Sequence, residues 1–211
     1  MKKMFKYATA FAAGTLLALG AAKAETDYDN PEFHLQNEVG NFTLTVDSNE
    51  NAARLPGSTT VRADYTFVEY EMPGNVKGAF AMGVGYDRVE ENASIHAVYE
   101  AAYTVNKLAL TADVDLAYVT PRDDLGDGSA FATPSFGVAY GVNDRVSPFA
   151  NVSYAFSVSE DFGNREGGVA ELGVNFNMSD NVTVTPSVVR YFDNNNAEDN
   201  TQFRLGGTFR F

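Results

Sequence analysis

Asp113 and Asp115 stand two positions apart in an alternating stretch, so on a strand both carboxylates share one face. Paired acids on one face offer acid–base or cation-binding chemistry, and His96 in the preceding segment adds an imidazole in the same phase. The polar phase of the remaining alternating segments adds Arg62, Asp64, Glu100, Glu171, Arg204 and Arg210. Charges collected on one phase of many strands need pairing or water. They imply either a narrow hydrophilic channel or a network of ion pairs that plugs the space between the walls.

Ten segments carry this alternation: 42–46, 61–67, 79–86, 94–104, 108–118, 136–142, 147–158, 170–178, 182–188 and 201–211. In the fifth, Leu108, Leu110, Ala112, Val114, Leu116 and Tyr118 oppose Thr111, Asp113 and Asp115. In the third and sixth, the phase opposite Phe80, Met82, Val84, Phe136 and Val138 is glycine and alanine, which leaves space. Turns near residues 74, 106, 144 and 180 are short. The connections around 47–58, 87–93, 120–130, 159–167 and 193–200 are longer and acidic. An even strand count puts both termini at one end, and eight strands is the alternative if the first segment and a neighbour lie outside the wall. Pro134, Pro148 and Pro186 fall within or near strands, where proline removes a ladder donor. Arg190 falls on the apolar phase near a strand end, where its head can reach a polar boundary.

The last segment sets the solvent problem. Phe203, Leu205, Gly207, Phe209 and Phe211 alternate with Gln202, Arg204, Gly206, Thr208 and Arg210. Aromatics on one face and arginines on the other fit a wall with lipid outside and a polar lumen within. This stretch resembles the closing strand of small bacterial outer-membrane β-barrel proteins, OmpA/OmpX-like or porin-like. That resemblance implies that Phe203, Leu205, Phe209 and Phe211 are read by the barrel-assembly machinery. It also implies outer-membrane lipids and lipopolysaccharide as partners. The expected fold is therefore all-β, a transmembrane antiparallel up-and-down barrel of ten strands. Its aromatics band at two depths: Phe67, Phe80, Tyr103, Tyr140, Phe176, Phe209 and Phe211 towards the short turns, and Tyr86, Tyr118, Phe156, Phe192 and Phe203 towards the long connections.

Residues 1–24 read as a cleaved export signal, with Lys2, Lys3 and Lys6 before the apolar run 11–21 and small residues at Ala22 and Ala24. The run is too short for a spanning helix. Residues 25–40 read as a short acidic periplasmic lead-in, and 41–211 as the barrel. The whole chain carries −13 at pH 7, and the signal holds four lysines and no acid, so the remainder is more acidic still. Such a surface argues against nucleic acid as a partner. The absence of cysteine excludes disulfides, thiolate metal sites and a Cys nucleophile.

Asp113, Asp115 and His96 are also similar to the acid and histidine set of ten-stranded outer-membrane proteases of the omptin type. A second acid–histidine pair is not evident, since His34 falls before the barrel, and a His-x-Ser deacylase motif is missing. Asp123, Asp124 and Asp127 offer oxygen ligands but lack calcium-loop spacing, so they read as a solvated turn and no metal or cofactor is expected. Asp193, Glu198 and Asp199 read the same way. The expected function is non-enzymatic: a structural or surface-interaction role in the Gram-negative envelope. The alternatives are a narrow porin-like channel for small hydrophilic solutes and, more remotely, an outer-membrane hydrolase.

Overall fold

The computed structural model describes residues 32–49, 58–87, 92–120, 128–158, 167–193 and 200–211. Residues 1–24, read above as an export signal, the first seven residues of the expected lead-in (25–31) and the loop acids Asp123, Asp124 and Asp127 lie outside them. Eleven strands follow in order: β1 (Glu32–Val39), β2 (Phe42–Asn49), β3 (Ser58–Met72), β4 (Val76–Asp87), β5 (Asn92–Val105) and β6 (Leu108–Val119). Then come β7 (Ser129–Tyr140), β8 (Val146–Ser157), β9 (Gly167–Ser179), β10 (Val182–Asp193) and β11 (Asn200–Arg210). Each pairs with its sequence neighbours, and β1 closes the ring on β11.

The count is eleven, which corrects both ten and eight. All ten alternating segments are in the wall. The added strand is β1, all of whose residues come from the stretch 25–40 expected to be a lead-in. Its outward column runs Leu35, Asn37, Val39, and the amide of Asn37 breaks the apolar alternation that marks the other strands. Asn37 is nevertheless buried, with Leu44 opposite it on one side and Phe209 on the other.

An odd number of up-and-down strands forces the first and last to run the same way. The β1–β11 pair is accordingly parallel, and every other pair is antiparallel. The expectation that both ends of the wall lie on one side is therefore overturned. Glu32 begins β1 at the end with the long connections, while Phe211 follows β11 at the end with the short turns.

The short turns carry the left-handed backbone that tight reversals need: Gly40 at φ 59°, Gly74 at 88°, Asn75 at 62° and Asn106 at 52°. Pro134 and Pro186 sit inside continuous strands, and each interrupts the ladder on one side only. The β7–β8 register passes Ala132↔Phe156 and resumes at Ser135↔Ser153. The β9–β10 register breaks between Val184↔Phe176 and Ser187↔Gly173.

A one-residue bulge at Phe67 changes what β3 presents. The register runs Thr66↔Ala81, then Val68↔Phe80. Beyond the bulge Val68, Tyr70 and Met72 share the outward phase, and Glu69 and Glu71 turn to the lumen. Simple alternation from Tyr65 and Phe67 would have placed both glutamates outside. Tyr70 also lies across Gly78, where an added Cβ would sit 2.1 Å from its ring. It stacks at 6.2 Å on Tyr99, with the two hydroxyls in contact.

No apolar centre exists among the described residues. Their buried hydrophobic side chains are Leu44, Val46, Ala132 and Val189, scattered over β2, β7 and β10. By contrast 29 large hydrophobic side chains are exposed, and they occur on every strand from β2 to β11. The exposed set includes Leu110, Val114, Leu172 and Phe203, together with the aromatics Phe67, Tyr103, Tyr140 and Phe211 near the short turns and Tyr86, Tyr118 and Phe156 near the other end. Arg190 is likewise exposed on the outward phase, close to the end of β10.

Candidate functional site

The lumen is built by the polar phase of each strand, and its charges pair along and between neighbouring walls. On β3, the Arg62 guanidinium donates from Nε to both oxygens of Asp64, at 2.9 and 2.7 Å. Its Nη1 reaches over β4 and β5 to Asp115 on β6. This path is open because β4 presents glycine there. A Cβ on Gly83 would lie 2.1 Å from Asp64 Oδ1, and one on Gly85 would lie 2.5 Å from Ser94 Oγ.

Asp115 is shared. Its other oxygen, Oδ1, is 3.3 Å from His96 Nδ1, and the Nε2 of the same ring is 2.6 Å from Ser94 Oγ. A hydroxyl, an imidazole and a carboxylate thus stand in line near the long-connection end. Ser94 is the member that the charge pattern does not reveal. The signal for it is Ser94-x-His96 in one phase of β5, with an acid in the same phase of β6. Asp113, two positions along β6, takes a hydrogen bond from Ser135 and lies opposite Glu100, which is exposed. Asp113 and Asp115 therefore share a face but not hydrogen-bond partners.

Across the barrel, Glu171 accepts from Ser187 Oγ at 2.5 Å and from Arg204 Nη1 at 3.5 Å, and Arg204 Nη2 donates to Tyr191 at 2.9 Å. Val189 and Ser187 are buried on the lumen side of this wall. Arg210 pairs with Glu38 across the closing seam at 2.8 Å. His34, expected to precede the barrel, lies in β1 with its ring on Asp47 of β2. The second acid–histidine pair is therefore present, and only the pairing of β1 with β2 reveals it.

The interior is asymmetric. At the short-turn end, residues of β1 to β5 line an open-mouthed cavity of about 640 Å³. Glu38, Glu69, Glu71 and Glu100 line it, with Lys77 as the cation paired to Glu71 at 3.1 Å. Carboxylates outnumber cations there, so the field in this vestibule favours positive solutes. Among the described residues, no three His, Cys, Asp or Glu side chains are grouped to hold a metal ion.

Fold and interior together define a closed, mostly antiparallel all-β barrel with an apolar exterior and a charged, paired lumen. The chain matches no protein-family model, and no curated protein matches it in sequence.

Proposed function

We propose that this chain is an outer-membrane β-barrel of a Gram-negative envelope that passes small hydrophilic solutes, cations in preference to anions. One observation carries the membrane placement: among the described residues, 29 large hydrophobic side chains are exposed, while Leu44, Val46 and Val189 are the large ones that are buried. Moving such side chains out of water is worth roughly 1.5–3 kcal/mol each for full burial, so a solvent of acyl chains is what this exterior fits. The export signal and the closing strand support the same placement, with lipopolysaccharide, outer-membrane lipids and the assembly machinery as partners.

The eleven-strand circumference and the acidic cavity support passage over a plug, because interior space widens with strand number. A surface-interaction role rests on connections outside the described residues, so no contact in the barrel favours it. The test is the mature chain refolded in detergent and added to planar bilayers under a salt gradient. Discrete steps with a cation-side reversal potential are expected. A silent bilayer overturns the channel, and failure to float with liposomes overturns the membrane placement itself.

A further inference from the structure

We propose that Ser94, His96 and Asp115 form a nucleophilic relay that hydrolyses small, soluble carboxylic esters inside the barrel. The order of atoms carries it. Nε2 of His96 faces the Ser94 hydroxyl at 2.6 Å, and Nδ1 of the same ring faces Asp115 at 3.3 Å. A base that takes the serine proton through Nε2 needs its Nδ1–H oriented by an acid, and here one carboxylate supplies that. Chain order does not matter for such a relay, since it is recognised by geometry and roles.

Two further features fit. Ser94 and His96 are half-buried on the lumen side, within a few residues of the long-connection mouth. The residue opposite Ser94 is Gly85, where an added Cβ would crowd both Ser94 Oγ at 2.5 Å and His96 Nε2 at 3.0 Å. Glycine there keeps the approach to the hydroxyl open. Arg62 holds the second oxygen of Asp115, which fixes the carboxylate in place. It also competes for the acid's charge, and ion pairing alone would account for Arg62, Asp64 and Asp115. It does not account for a serine hydroxyl on the far nitrogen of the ring.

The step balances without a co-reactant other than water. Ser94 Oγ attacks the ester carbonyl carbon while its proton moves to His96 Nε2. The tetrahedral adduct expels the alkoxide, which leaves as the alcohol with that proton. Water then attacks the acyl-serine with His96 as base, releasing the carboxylic acid and restoring the serine. A polar lumen selects a soluble ester over a lipid acyl chain.

The test uses the refolded mature barrel in detergent, treated with a fluorophosphonate probe and, separately, with p-nitrophenyl butyrate. Wild type is expected to carry one phosphonyl adduct, located by peptide mass on Ser94, and to hydrolyse the ester. Ser94→Ala removes the adduct and lowers hydrolysis at least about 100-fold, the scale on which loss of a nucleophile acts. Asp115→Asn, a change to a positioning residue, lowers kcat while KM stays within about twofold. An unlabelled wild-type barrel, or hydrolysis kept by Ser94→Ala, overturns the relay. Fatty-acid release from phosphatidylethanolamine vesicles without p-nitrophenyl butyrate turnover overturns the substrate class. The adduct is read on wild type in detergent, so a misfolded variant or a failed conductance assay leaves the test standing.

Discussion

Glu38 and Arg210 meet at 2.8 Å across the parallel seam where the first strand closes on the last. The Phe211 amide donates to the Glu38 carbonyl at 2.9 Å, and the Asn181 side chain donates from Nδ2 to the Arg210 carbonyl at 2.5 Å, so one backbone bond and one side-chain bond hold the same corner. The ion pair is half exposed on the arginine side and adds little to them. A double-mutant cycle with Glu38→Ala and Arg210→Ala, read by urea unfolding in detergent, should give a coupling of about 0.5–1 kcal/mol. A coupling of several kcal/mol would mean that the seam closes through the ion pair and not through its ladder.

Arg62 is different, because it neutralises two acids that are largely shielded from solvent. Arg62→Ala leaves Asp64 and Asp115 facing the lumen without their guanidinium. A cost of about 2–3 kcal/mol is expected, below the full penalty for a dry interior because water enters a lumen. Adding Asp64→Asn to Arg62→Ala should recover part of that loss in the same unfolding assay. No recovery would show that Arg62 acts through packing.

Gly83 and Gly141 separate steric need from tolerance. A Cβ at Gly83 would meet Asp64 Oδ1 at 2.1 Å and the Ala63 carbonyl at 2.4 Å, whereas at Gly141 the nearest atom is 3.7 Å away. Gly83→Ala should destabilise by about 1–3 kcal/mol. Gly141→Ala should stay within about 0.5 kcal/mol. Equal midpoints for the two would contradict the close approach at β4.

Phe67 is the inserted residue of its bulge, so its deletion leaves the register intact on both sides. The variant should still give a heat-modifiable barrel on gels, with a modest loss from its ring contacts to Tyr65 at 4.9 Å and Phe80 at 6.4 Å. Deleting Val84 from the regular ladder of β4 should abolish folding, because a one-residue slip turns every following side chain to the wrong face. If both deletions fold equally well, the bulge assignment is wrong.

On the channel proposed above, the vestibule carboxylates set selectivity. The triple change Glu69→Gln, Glu71→Gln and Glu100→Gln should move the reversal potential towards zero while single-channel steps persist. An unchanged reversal potential would place the selective constriction elsewhere.

Alternation of residue types by itself determined the all-β barrel and the sidedness of its ten clearest strands. Side-chain direction has a period of two, and Leu110, Val114 and Asp115 can satisfy it in only one way. The same local rule placed Arg62, Asp64, His96 and Asp115 on a single phase. It could not say which of them touch, because Arg62 and Asp115 lie three strands apart and meet only when the sheet curls. Only the tertiary structure decided the eleventh strand, since Asn37 hides the pattern of β1 and the partner that admits β1 to the wall is the far end of the chain. Closure likewise brought His34 to Asp47 and Glu38 to Arg210. The bulge at Phe67 turned Glu69 and Glu71 inward, because an inserted residue reverses phase without changing composition.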